Sequence, residues 1–226
     1  MDTTLNTPKS KHPFIAGFWL TLAIPVTMMI SFPLLDILKI YDSDLRGRIA
    51  FSIMFAVHFG AGFLWARSLG HRSGLSENRM MNAFAGIAFS LSMVGVEGGL
   101  IHLEPIVNPW LALFSGVGNL EFGALFAPWT GLVCGISGFA LGIGLKDLKL
   151  SLKLLALGFI TGLGLYLAIM FTMQLLGFKV GSGRPVMLPT TFLSLAVTAL
   201  VGSELFGRVL RKSNPGLELT DQSMNE

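Results

Sequence analysis

The chain has 226 residues, 52% hydrophobic and only 13% charged, with a formal net charge of +3 and a mean hydropathy of +0.68. Soluble domains carry roughly 25% charged residues, so this composition excludes a water-soluble globular domain. The small positive excess sits between apolar runs, which marks it as a topology signal and excludes a nucleic-acid footprint. A single cysteine, Cys134, allows no disulfide within the chain.

In chain order, residues 1–13 form a polar tail ending in Lys9, Lys11 and His12. The apolar run Phe14–Leu35 that follows is longer than the ~7–15-residue core of a cleaved signal peptide and has no small-residue cleavage site behind it. It is expected to stay as a membrane span, kinked at Pro25 and Pro33. Five further runs, Ile49–Ala66, Met80–Leu103, Phe122–Leu145, Leu152–Gly177 and Met187–Gly207, approach the ~20 residues that a span needs. Backbone groups in lipid must bond within their own segment, so each is a helix. The expectation is an all-α, polytopic six-transmembrane-helix bundle over residues 14–212, with a second polar tail over 213–226.

Eleven of the 16 lysines and arginines collect on one side: Lys9, Lys11, Arg67, Arg72, Arg79, Lys146, Lys149, Lys153, Arg208, Arg211 and Lys212. The other side holds Lys39, Arg46, Arg48, Lys179 and Arg184. The positive-inside rule then puts both termini in the cytoplasm, in the plasma membrane as the expected location. Lys146, Lys149 and Lys153 share a helical face suited to anionic lipid. The outer connection Glu104–Glu121 has no basic residue. Residues 106–120 are too apolar for an ordinary loop and too short for a span, and read as a surface helix or a re-entrant hairpin. Asn108-Pro109-Trp110 and Ala127-Pro128-Trp129 each open an apolar turn with proline near a helix start.

Sliding the chain over itself by 107 residues aligns Ile53 with Ile160, Leu69-Gly70 with Leu176-Gly177, Met80 with Met187, and Val94-Gly95-x-Glu97 with Val201-Gly202-x-Glu204. Units of three spans, 14–104 and 122–212, would be inverted relative to one another, a common transporter plan. Gly131-x-x-x-Gly135, Gly138-x-x-x-Gly142 and Gly158-x-x-x-Gly162 are small-residue faces, expected to pack spans four and five within one chain.

Glu97 is the leading candidate for chemistry. A carboxylate inside a span costs ~2.5–3.5 kcal/mol on insertion scales, and such residues face a bundle interior or a water path. It is expected to bind a cation or a proton, with His58 of the second span as a relay. Glu204 carries two readings: the mirror partner of Glu97 in ion binding, or an i,i+4 ion pair with Arg208. His102, Glu104, Glu121 and Asp36 would form an acidic outer vestibule that attracts cations. The four histidines give no recognisable ligand set, which leaves any metal unassigned, and no cofactor motif occurs. The leading expectation is a small transporter or channel for a cation or a proton-coupled solute, and not an enzyme. The alternatives are a non-catalytic membrane subunit, with homo-oligomer or complex partners, and a membrane enzyme acting on lipid through Glu97, His102 and Glu104.

Overall fold

The computed structural model describes residues 12–39, 42–99, 109–110, 112–114, 119–177 and 184–213. Among these there is no strand. A 3-10 turn, Pro13–Gly17, leads into six helices: α1 Phe18–Ile37, α2 Ser43–Arg72, α3 Arg79–Gly99, α4 Asn119–Gly144, α5 Leu148–Leu175 and α6 Arg184–Lys212. The six helices overlap the six expected spans and extend most of them by a few residues, but among the described residues α3 is not apolar enough over its length to count as a span. Five stretches, Pro13–Ile37, Asp44–Arg72, Phe126–Gly144, Leu148–Leu175 and Phe192–Lys212, are long and apolar enough to cross a membrane. The chain is an all-α, multi-pass membrane protein. The tails 1–11 and 214–226 lie outside the described residues.

Helix ends follow from local chemistry. Asp42 caps α2, its carboxylate accepting the Leu45 N–H at 2.7 Å, and Asp147 caps α5 in the same way from Leu150 at 2.9 Å. Each cap follows a lysine in left-handed conformation, Lys39 (φ 51°) and Lys146 (φ 60°). Gly74 (φ 78°) and Gly177 (φ 77°) stand just past the ends of α2 and α5, where only glycine takes such angles without strain. Asn78 opens α3 by accepting the Met81 N–H and donates to the Gly144 carbonyl at the end of α4.

The helices close a ring. Each packs on its neighbour in sequence, and α6 returns to α1. The largest interface joins α4 and α5, where a Cβ on Gly158 would stand 2.5 Å from the Cys134 carbonyl oxygen and one on Gly162 2.6 Å from that of Thr130. On α4, Gly138 meets the Leu154 carbonyl and Gly142 meets Ser151. The small-residue faces thus pack spans four and five within the chain. Gly62 against Ala85 and Gly86 against Phe59 join α2 to α3 in the same manner. The outward faces, including Met29, Ile37, Ile160, Phe171 and Leu175, are exposed and apolar, as a lipid-facing surface requires.

Pro25, Pro33 and Pro128 all lie inside helices. Pro128 has no N–H, so the carbonyl of Ala124 one turn earlier loses its helical donor. The indole of Trp110 donates to that oxygen at 2.5 Å. Trp110 also packs on Phe114, ring centroids 5.2 Å apart, and Phe114 packs on a cluster with Ala127 and Tyr166. The described part of the outer connection is therefore a single short helical turn resting on α4.

Trp110→Phe is expected to destabilise the protein by about 1–3 kcal/mol by orphaning a buried carbonyl. In a Pro128→Ala background the new N–H serves Ala124, and the cost should fall below half. Unfolding of the four proteins in mixed micelles measures this cycle, and strictly additive effects would refute the pairing.

Candidate functional site

The ring encloses a cavity of about 180 Å³. Its walls are helical stripes. From α4 come Phe126, Trp129, Thr130, Val133, Cys134 and Ser137, spaced three and one apart along one face. α6 contributes Phe192, Leu195, Thr198, Ala199, Gly202, Ser203 and Phe206. Leu20, Thr21 and Ile24 of α1, Trp65 of α2, Phe89 and Met93 of α3, and Tyr166 of α5 complete it. Along α6 the lining runs from Phe192 to Phe206, about 21 Å of helix by the standard rise. The site is a slot along the bundle axis, lined by apolar and aromatic side chains.

Hydroxyls punctuate this lining. Thr21, Thr130 and Ser203 bond back to carbonyls of their own helices, those of Phe18, Phe126 and Ala199. Ser203 also accepts the indole N–H of Trp65 at 2.9 Å, which fixes α2 against α6. Ser137 and Thr198 behave differently. They are 2% and 1% exposed, and neither hydroxyl has a hydrogen-bond partner among the described residues. Buried polar groups are nearly always paired, and an unpaired hydroxyl costs about 1–3 kcal/mol. Both oxygens have almost no accessible surface, so a guest that carries polar atoms would meet them only after their side chains rotate toward the slot.

His58, a predicted site residue, is 2% exposed. Its Nδ1 pairs with the Met54 carbonyl at 2.7 Å, and its ring lies 5.6 Å from that of Phe89. It stands behind the cavity wall, one layer from the slot. Glu204 is turned to other work: it accepts the Phe14 N–H at 3.2 Å and pairs with Arg208 at 3.0 Å and Arg211 at 3.9 Å. It thereby ties the 3-10 turn to α6, where Pro13 also seats on Gly207. Ser203 is level with Trp65, and His58 lies seven residues from Trp65, so His58 and Glu204 differ in depth by about 10 Å. The structure does not bring them together.

Asp36 bonds Arg46 at 2.6 Å and joins the end of α1 to the start of α2. Glu97 lies in the last turn of α3 and Glu121 in the first turn of α4; their side chains, like all of His102 and Glu104, lie outside the described residues. Position 97 nevertheless continues the helical register of Phe89 and Met93, both on the cavity wall, at spacings of four. Among the described residues no group of three or more His, Cys, Asp or Glu is placed to hold a metal. Sequence reading missed Ser137 and Thr198. Apolar runs always contain serines and threonines, and only the assembled ring shows which ones do not bond back to their own helix.

Comparison with protein-family models, with curated proteins and with solved structures finds no match to this chain.

Ser137→Ala and Thr198→Val should each raise the stability of the ligand-free protein, by about 1 kcal/mol, because each removes an unpaired buried hydroxyl. Thermal unfolding in detergent checks the sign, and a loss of that size would mean the hydroxyl has a structural partner.

Proposed function

We propose that the protein is a small membrane transporter whose substrate seat is the central slot. The observation that carries this reading is the pair of unpartnered hydroxyls, Ser137 and Thr198, on the wall of an apolar cavity of about 180 Å³. An empty engineered cavity of ~150 Å³ takes up benzene, so the slot has room for a small organic molecule. With no Asp, Glu, Lys, Arg or His among its described lining residues, it suits a neutral solute with an apolar body and at least one hydrogen-bonding group. The cation or proton expected at Glu97 then acts as the coupling ion. Position 97 follows Met93 by one turn, beyond the outer end of the cavity wall, where protonation can be linked to occupancy.

The ring of helices supports this reading, as does the likeness of α2 and α5 at both ends: an aspartate cap after a left-handed lysine, and a left-handed glycine. These are what two inverted three-helix units would share. Both termini in the cytoplasm of the plasma membrane complete the proposed orientation.

Gly202 provides the test. It lines the slot, and a Cβ there meets nothing within 4 Å, so Gly202→Leu fills the cavity without displacing backbone. Decan-1-ol is the probe for binding to protein in nanodiscs. Wild type should gain thermal stability with it, and Gly202→Leu should gain none while unfolding no earlier than wild type. In proteoliposomes loaded with a pH dye, Glu97→Gln should retain binding and lose any proton flux driven by the alcohol. Equal responses of wild type and Gly202→Leu would remove the slot as the seat and favour a non-catalytic subunit.

A further inference from the structure

A second concavity, of about 500 Å³, lies at the opposite end of α2 from its aspartate cap, on the face where the basic residues collect. It is walled by the last turns of α2 and by the turn into α3, with Trp19 of α1 beside it. Arg67, His71 and Arg72 stand around it. Arg72 is held in place, its Nε donating to Ser68 Oγ at 3.3 Å and its Nη1 to the His12 carbonyl at 3.5 Å. Arg67 lies 3.4 Å from a carboxylate oxygen of Glu77, and both side chains are more than half exposed.

The second observation is Asn82. It lines the same cleft, is 1% exposed, and among the described residues neither its Nδ2 nor its Oδ1 has a hydrogen-bond partner. A buried primary amide can make up to four hydrogen bonds, and leaving all of them unmade is costly. Guanidinium groups beside a buried amide donor match the oxygens of a phosphate group, and the amide oxygen can accept from a neighbouring hydroxyl. Trp19, 39% exposed, and Leu64, 37% exposed, put an apolar margin beside these polar groups, as at the edge of a bilayer.

We propose that this cleft binds a phosphate ester carrying a hydroxyl, with Arg67 and Arg72 on the phosphate and Asn82 on the ester's hydroxylated part. Such a group reaches the site either as a glycerophospholipid headgroup or as a soluble phosphate. Glu77 limits the cleft to a weakly charged anion, because its carboxylate already faces Arg67.

Native mass spectrometry of the full-length protein in maltoside detergent tests this with four probes: a phosphatidylglycerol, a diacylglycerol without headgroup, glycerol 3-phosphate and inorganic phosphate. Arg67→Gln and Asn82→Leu are each expected to weaken binding roughly five-fold or more, and Glu77→Gln to tighten it about three-fold by removing a competing charge. Arg67 and Glu77 are exposed, so these variants should unfold with wild type even if Asn82→Leu does not. Retention of phosphatidylglycerol but not of glycerol 3-phosphate assigns the cleft to lipid. Equal binding of glycerol 3-phosphate, above that of inorganic phosphate, assigns it to a soluble ester. Both results support the site. Binding unchanged in Arg67→Gln, or diacylglycerol retained as well as phosphatidylglycerol, overturns it.

Discussion

The close approach of α4 and α5 is the constraint on which the rest depends. Within a bilayer there is no hydrophobic force to bring two apolar helices together, because lipid tails are as apolar as leucine. Attraction comes from packing, interhelical hydrogen bonds and lipid entropy, and the packing part grows as backbones approach. Gly131, Gly135, Gly138 and Gly142 on one helix and Gly158 and Gly162 on the other remove the side chains that would hold the axes apart. α4 is thus fixed through one face, and its opposite face, from Phe126 to Ser137, is left to line the slot. A helix held less firmly would collapse into the space, as large-to-small changes in cores show when neighbours relax.

The remaining contacts hold the ring at its rim. Trp65 reaches across to Ser203, Asn78 reaches the end of α4, and Glu204 gathers the first turn of the chain. Each is a hydrogen bond to a group that the helices themselves cannot satisfy or that lies at a seam between them. The slot is different in kind. Its two unpaired hydroxyls, like the buried amide of Asn82, lower stability where the ties between helices raise it, and such local conflict is characteristic of functional positions.

Much of the fold was legible in the sequence because membrane helices obey few rules. Span length and the absence of charge within runs are each local properties. The glycine faces were legible for the same reason, since spacing of four places residues on one side of a helix. Three features were not. Trp110 bonding Ala124 depends on how the outer connection folds back, Glu204 meeting Phe14 links residues 190 apart, and the slot exists only when six helices surround it. The carboxylates that stood out by composition divide accordingly. Glu204 and Asp36 are engaged in ties between elements, while Glu97 keeps its place in the register of the cavity wall.

The tie between Phe14 and Glu204 also bears on the order in which the protein is made. Domains form as the chain emerges from its N-terminus, and the first turn leaves the ribosome long before its partner carboxylate exists. The Trp110 bond needs only the next fourteen residues, so α4 can have its missing donor supplied as soon as it is synthesised. The first turn, by contrast, waits for α6. Until then the growing protein is an open arc of helices whose future inner wall faces lipid. The slot gains its sixth wall only with the last helix to be made, the same helix that anchors the beginning of the chain to its end.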